Sequence, residues 1–338
     1  MIKKNKWNSL INIIFRYLLF TKIKKKIIFI NNLIKIKRKL IKIIFYIVFL
    51  IIYISPLLCK LFFINFKNIK VCVCTSGKKE NLYAREFVEH YKLYGVDKIF
   101  IYDNNEINGE VFDNVLSDYI SNKFVEIINY RGKIQAQLQM LNNCYKNNYE
   151  KYDWFILFDM DEFIHLKSHI NIKSYLKRSK FRKYEVIYLF RAFHTDNNHL
   201  HYYNKSLFER FPKSIYDIIT VKPILRGHIP NLKIKSCHII NEKIKSCYSH
   251  GEKQIKKMDF KNYFIDHFYF KSTEEFIEKI NRGDIFYKNI NKIKMAKIKY
   301  YFKSNNITLS KINYIEKEAK INLTKFRQKL IKNINLST

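Results

Sequence analysis

From residue 70 onward, short apolar runs of strand length alternate with stretches whose apolar positions recur every three or four residues. That pattern predicts an α/β fold, a mainly parallel sheet flanked by helices. Val71 to Ser76 (VCVCTS) reads as the first strand. Leu82, Phe87, Val88, Tyr91 and Leu93 then mark one face of a helix that Gly95 would end. Residues 97 to 104 (DKIFIYDN) and 124 to 130 (FVEIINY) predict the second and third strands, and 135 to 148 the next helix. Residues 153 to 164 (DWFILFDMDEFI) predict one strand whose apolar run gives way to carboxylates at its C-terminal end. The pattern then loosens. Residues 185 to 193 predict a strand, 215 to 250 short strands carrying His228, His238 and His250, and the chain from Ser272 basic helices, the first opened by a Ser272/Glu275 capping box.

Ligands of open α/β sheets lie beyond the carboxyl ends of the strands, so Ser76, Asp103, Asp159 and Asp161 are expected to meet in one crevice. The sharpest chemistry is Asp159-Met160-Asp161-Glu162, directly after the apolar run WFILF. Carboxylates beside a hydrophobic strand need a positive partner, and hard oxygen ligands suit Mg²⁺ or Mn²⁺, which also bridge a diphosphate. If the strand continues through them, Asp159 and Asp161 share one face and Glu162 takes the other.

The amino-terminal region has a different character. The chain's first acidic residue is Glu80, and among the long apolar runs before it Ile43 to Cys59 is uncharged, 59 − 43 + 1 = 17 residues, the lower limit for crossing a bilayer. Flanking lysines make a membrane location the expectation. The segment would serve either as a single N-terminal anchor or as an in-plane, monotopic helix that keeps the remaining domain cytoplasmic in a bacterium. The composition breaks near residues 67 to 70, which gives a basic hydrophobic region 1–69, a domain 70–285 and a basic helical tail 286–338.

Composition narrows the classes. With 338 residues, 48% hydrophobic, 7 Gly and 4 Pro, the chain is neither disordered nor collagen-like. Its 63 Lys+Arg against 29 Asp+Glu give +34, which favours anionic partners such as nucleotide phosphates or an anionic membrane. The basic residues are spread along the chain and the acidic ones gather in the presumed site, so no nucleic-acid partner is expected. Six cysteines form no CxxC pair. Cys72 and Cys74 are expected to pack in the core, a Cys237–Cys247 hairpin disulfide stays open, and the set reads as reduced. There is no Gly-rich phosphate loop and no nucleophile elbow. His194, His199 and His201 fall in a polar loop and read as acceptor contacts or surface residues.

Four blocks are informative together: residues 80–105 (ENLYAREFVEHYKLYGVDKIFIYDNN), 137–145 (QLQMLNNCY), 153–164, and 266–284 (DHFYFKSTEEFIEKINRGD). In this order they resemble glycosyltransferases of family 92 and the family-2-like group. The resemblance implies a GT-A fold whose DxD motif handles a nucleotide-sugar, a UDP-sugar being the expected donor, with a divalent metal, Mn²⁺ or Mg²⁺. Asp103 would contact the nucleoside, Asp159 and Asp161 the metal and diphosphate, and His267 would be the C-terminal metal contact. Lys271 and Arg282 would face the diphosphate or acceptor, and Glu80 and Glu86 match acidic positions at the first strand-helix junction. An inverting transferase needs a base for the acceptor hydroxyl, and Asp196 and Asp266 are the candidates. The reaction implied is metal-dependent hexosyl transfer to a glycan or lipid-linked acceptor, in cell-surface polysaccharide or glycoconjugate synthesis. A catalytically inactive GT-A-like membrane scaffold and a nucleic-acid-binding protein are the alternatives.

Overall fold

The structure is a computed structural model, and it describes residues 68–134, 136–167, 171–240, 244–249, 251, 262–282 and 290–335, with residues 21, 26, 35–44 and 46 of the amino-terminal region. The chain divides into two units, Met1–Asn68 and Ile69–Thr338.

In the first unit, residues 35–44 are helical and exposed. The expected membrane anchor is corrected here: among the described residues no helix is long and apolar enough to cross a membrane. Of the predicted segment 43–59 only Ile43, Ile44 and Tyr46 are among those residues, and the rest lies outside them.

The second unit is built on nine described strands. β1 (Val71–Gly77), β2 (Lys98–Asp103), β3 (Val125–Asn129) and β4 (Trp154–Ile156) are mutually parallel neighbours in the order β3-β2-β1-β4. The sheet continues through β7 (Ser214–Arg226), β6 (Val186–His194), β9 (Tyr263–His267) and β5 (Glu162–Leu166), with β8 (Ser246–Tyr248) beside β6. β7 runs antiparallel to β4, so strand direction reverses at that seam. β7 is also antiparallel to β6, and β9 lies parallel to β6 and antiparallel to β5.

Alternation along the parallel strands places two cores on two faces. Val71, Val73, Ile99, Ile101, Trp154 and Ile156 join the cluster that takes in Tyr83, Phe87, Val88 and Tyr91 of α1 (Asn81–Leu93) and Leu116 of α2 (Asp113–Ser121). Cys72, Cys74, Phe100, Tyr102, Phe155 and Leu157 face Met140, Leu141, Cys144 and Tyr145 of α3 (Gln137–Asn148). Apolar runs without polar interruption are what a sheet covered on both faces requires. α1 stops before Gly95, whose φ of +79° is the left-handed turn expected there.

The reduced reading of the cysteines is also corrected, and the bond formed is not the Cys237–Cys247 pair left open. Cys74 points toward α3 and is bonded to Cys144 with their Cα atoms 6.3 Å apart, while Cys72, Cys237 and Cys247 are free and buried. The pair joins a strand to a helix 70 residues away, a partner that linear spacing gives no reason to choose.

Two short helices, α4 (Ile172–Leu176) and α5 (Leu207–Arg210), bridge the later strands. α6 (Thr273–Asn281) opens with the predicted capping box at Ser272 and Glu275. α7 (Ile290–Ser304), α8 (Leu309–Ala319) and α9 (Thr324–Asn335) follow toward the carboxyl end. The carboxyl-terminal helices pack on the domain: Ile298, Tyr301, Phe302, Ile312 and Ile315 share a buried cluster with Phe193, Phe270, Phe276 and Ile280.

Candidate active site

The predicted strand 153–164 is interrupted where the carboxylates begin. β4 ends at Ile156, Asp159 to Asp161 form a turn, and β5 starts at Glu162. A turn closes on itself because the Asp159 carbonyl accepts the Glu162 N–H at 3.0 Å and the Asp159 N–H donates to a Glu162 carboxylate oxygen at 2.9 Å. The expectation of one face for Asp159 and Asp161 and another for Glu162 therefore gives way to a loop around which all three converge on cations. A continuous strand would have left each carboxylate to find its own partner.

Those partners come from distant elements. Lys222 of β7, 1% exposed, places its Nζ 2.6 Å from Asp159 and 3.1 Å from Glu162. Gln137, at the first position of α3, donates from Nε2 to the other Asp159 oxygen at 2.8 Å. Arg191 of β6 reaches Glu162 at 3.3 Å. Lys279 of α6 is bonded to Asp161 through Oδ2, and His267 Nε2 lies 3.5 Å from Asp161 Oδ1. Burial would raise the Asp159 carboxyl, but the Lys222 ammonium outweighs it and holds the group below the usual range. For Asp161 burial is likewise overcome, here by Lys279 and His267, and the carboxyl sits well below its ordinary value.

A second buried network stands beside this one. Glu80, which directly precedes α1, receives Lys271 at 3.2 Å and Arg282 at 2.7 Å, and these cations outweigh its burial and lower its pKa. Arg282 also donates to the Lys78 carbonyl, tying the end of α6 to the loop after β1. Lys271 lies over the Tyr83 ring with Nζ 3.3 Å from its centroid.

Both networks border one cavity of about 550 Å³. Its floor is the carboxyl end of the parallel strands: Ser76 and Gly77 at the end of β1, Asn104 after β2, and Asp159, Met160 and Asp161 after β4. Gly77 allows a close approach, since a Cβ there would stand 2.4 Å from Phe112 and 2.7 Å from Met160. The opposite wall comes from β6, β7, the segment after β9, and α7: Arg191, Phe193, Asp217, Ile219, Tyr269 and Tyr300. Phe193, Tyr269 and Tyr300 form a mutually edge-packed aromatic group, with centroid distances of 6.0 to 6.3 Å. Pairing of β6 with β7 slips between Phe190 and Arg191, and the slack lets Asp217, Ile219 and Thr220 protrude into the cavity. The Asp217 carboxylate orders that protrusion by accepting the Ile219 N–H at 2.8 Å and the Thr220 hydroxyl.

Of the residues singled out from the sequence, Glu80, Asp159, Asp161, His267 and Arg282 line this cavity, and Lys271 reaches it through Glu80. Asp103 lies one residue behind the lining residue Asn104, pairs with Arg131 at 2.8 Å and accepts from the Asn105 backbone, so that it shapes the loop after β2. Glu86 accepts the Leu207 N–H at 3.0 Å and caps α5. The two carboxylates named as bases are placed elsewhere. Asp196 is bound by Lys311 and Tyr301 under the carboxyl-terminal helices. Asp266 faces His194 at 2.8 Å and His165 at 3.5 Å, on the side of β9 opposite His267. Sequence reading passed over Gln137, Lys222, Lys279, Arg191 and Asp217. Arg191 and Lys222 did carry a signal, because a lone cation inside an apolar strand run needs a buried anion.

Asp161 and His267 are the pair that could hold a divalent cation. Burial lowers the His267 pKa against the pull of Asp161, and its buried Nδ1 has no hydrogen-bond partner, with Glu162 at 3.8 Å. His267 Nε2 and Asp161 Oδ1 face each other in this buried contact, a histidine nitrogen and a carboxylate oxygen within reach of one ion. That arrangement suits a cation. Among the described residues no third histidine, cysteine or carboxylate joins them, so the remaining ligands would come from substrate oxygens and water, as Mg²⁺ and Mn²⁺ sites commonly arrange.

Comparison with known proteins adds a family to this geometry. Residues 67–306 match the profile of glycosyltransferase family 92. Curated relatives carrying that family description include a Ricinus communis protein, 28% identical over 108 residues, and an Oryza sativa subsp. japonica protein, 27% identical over 108 residues. These alignments take in 32% of this chain but only 19% and 18% of the relatives, so the chain matches about a fifth of their length. Solved structures resemble it loosely. The mannosyltransferase PcManGT from Pyrobaculum calidifontis, in complex with GDP-Man and Mn²⁺, gives a TM-score of 0.29 at 7% identity over 36% of each chain. S. aureus TarS gives 0.34 at 9% identity, covering 69% of this chain and 43% of that one.

Proposed function

Because the chain belongs to glycosyltransferase family 92, we propose that its cavity transfers a sugar from a nucleotide-sugar donor to a glycan acceptor. The observation that carries this reading is the meeting of Asp159, Asp161, His267, Glu80 and Arg282 around one cavity at the carboxyl ends of β1, β2 and β4. On this reading the parallel half is a GT-A type donor site. The loops after β1 and β2 receive the nucleoside, and Asp161 with His267 would hold a divalent cation. Such a cation, when bound, would neutralise the charge that develops on the leaving diphosphate.

The protein's own groups do the rest. Lys222 and Gln137 fix both oxygens of Asp159, which leaves that carboxylate oriented toward the cavity in a single rotamer. Arg282, held by Glu80 at the cavity edge, presents fixed positive charge to the diphosphate. The aromatic group of Phe193, Tyr269 and Tyr300 offers the apolar face against which a pyranose acceptor can lie. Asp217 is the carboxylate on that wall, and we assign it the acceptor proton. The acceptor oxygen bonds to the donor's anomeric carbon, the bond from that carbon to the diphosphate breaks, and Asp217 takes the proton, which inverts the anomeric centre.

The decisive experiment measures donor turnover across a panel of nucleotide-sugars with Mn²⁺, Mg²⁺ or a chelator, for the wild type and Asp161→Asn. Turnover of one donor that needs the cation and disappears in the variant supports the reading. An Asp161→Asn protein that turns over the donor at the wild-type rate overturns it.

A further inference from the structure

We propose that Lys279 is an exchangeable counter-ion of the donor site: in the free protein its ammonium neutralises Asp161, and on loading with cation and nucleotide it leaves that carboxylate for the diphosphate. The inference rests on the donor-site reading above and adds a residue and a movement to it.

The geometry supplies each part. Lys279 Nζ is bonded to Asp161 Oδ2, on the carboxylate whose other oxygen faces His267. A divalent cation bound by Asp161 would bring a second positive charge within hydrogen-bond reach of the ammonium. The two cannot share the carboxylate at equal strength. The backbone of Lys279 cannot be what yields, because α6 is held at both ends, with Phe276, Ile277 and Ile280 buried between them and Arg282 paired with Glu80 just beyond Lys279. Ser272 and Glu275 form its capping box, Glu275 holds Arg210 at 2.8 Å, and the Thr273 N–H donates to His199 at 3.0 Å. The side chain can yield. It is 19% exposed, it lies along the cavity wall with its ammonium 4.2 Å from the centroid of Tyr269, its other contact to the Tyr269 carbonyl is a long 3.4 Å, and its four-carbon stem has several rotamers to move through.

The neighbouring cations are not equivalent. Lys222 is locked between Asp159 and Glu162 at 1% exposure, and Lys271 and Arg282 share the buried Glu80. Lys279 alone among these four has as its carboxylate partner the residue that the incoming cation would claim. Once displaced, its nearest new anion is the diphosphate that arrives with the cation, and an ammonium there strengthens binding of the leaving group.

Manganese binding and nucleotide binding separate this from the donor-site reading. Mn²⁺ alone is titrated by electron paramagnetic resonance against wild type, Lys279→Met and Lys279→Arg. UDP and GDP are then titrated by calorimetry at saturating Mn²⁺. With the competing ammonium removed, Lys279→Met should bind Mn²⁺ about tenfold more tightly, yet bind the nucleoside diphosphate about tenfold more weakly, while Lys279→Arg stays near wild type in both. A Lys279→Met protein that binds Mn²⁺ no better than wild type, or that binds the diphosphate equally well, overturns the exchange and leaves the donor site standing. A wild type that binds neither diphosphate overturns the donor site and the exchange with it.

Discussion

The ammonium of Lys222 lies 2.6 Å from the carboxylate of Asp159, and Lys222 is the more deeply buried partner, 1% exposed against 35%. Burial alone would lower the lysine's pKa, but Asp159 and Glu162 raise it, so the group stays charged inside the protein. Lys222→Met should therefore leave Glu162 with Arg191 and Asp159 with Gln137 as their remaining partners and cost about 2 to 3 kcal/mol of stability, read as a shift in the urea midpoint. Lys222→Met combined with Glu162→Gln should recover part of the loss. An unchanged midpoint in the single variant would show that the pair is not a buried charge network.

Gly77 couples the end of β1 to the carboxylate turn. A methyl group there meets Met160 at 2.7 Å, and Met160 sits between Asp159 and Asp161. Gly77→Ala should push that turn and weaken donor binding at least tenfold, with a stability cost of about 1 to 3 kcal/mol. Donor affinity equal to wild type would mean that the turn absorbs the methyl elsewhere.

His90 gives the fold an acid-sensitive point. Burial pushes its imidazole down to about 4 against the hydrogen bond to the Ile164 carbonyl, where Nε2 lies at 3.0 Å. An unfolded histidine titrates near about 6.5, so between that pH and 4 the unfolded chain binds a proton that the folded one refuses. Stability is thus complete above about 6.5 and falls as the pH drops toward 4. Because the ring is half-buried, the loss should be on the order of 2 kcal/mol. Denaturant melts of His90→Gln should flatten in that window, and an unchanged slope would place the acid sensitivity in other groups.

The Cys74–Cys144 bond closes a long loop and should contribute about 4 kcal/mol by restricting the unfolded chain. Cys144→Ser should melt lower, and dithiothreitol should bring the wild type down to the same temperature. A wild type indifferent to reductant would show that the bond adds nothing.

Asp217 stands on the cavity wall opposite Asp159 and Asp161, the wall proposed above for the acceptor. Asp217→Asn should cut kcat by about two to four orders of magnitude and leave the donor KM within about twofold, the split expected of a proton acceptor. A rise in donor KM with kcat intact would place Asp217 in donor binding instead.

Much of the parallel half is written in local pattern. The alternation of VCVCTS and KIFIYD, the helical spacing of Phe87, Val88 and Tyr91, and Gly95 at the helix end each depend on neighbours in the chain, and each reappears in the structure. The site was legible only from one side. Asp159, Asp161, His267 and Arg282 stand out in recognisable blocks, whereas Lys222, a lone cation in an apolar run, and Gln137, at the head of its block, gain their partner only when β7 and α3 close over the turn. The break at Asp159 followed the same logic, since an apolar run offers no sign that its last residues will curl to share cations. The disulfide and the positions of Asp196 and Asp266 depended on tertiary contacts across tens of residues, which no spacing encodes.

The reversal of strand direction between β4 and β7 also divides the labour of change. One bank of the cavity is set by loops leaving parallel strands, and the turn after β4 is pinned where Asp159 and Glu162 hold Lys222 of β7, so it tolerates little drift. The other bank is a strand protrusion and a helix face, held by few charges and free to vary in shape. Descendants of such a chain can be expected to diversify in what they accept long before they alter what they donate.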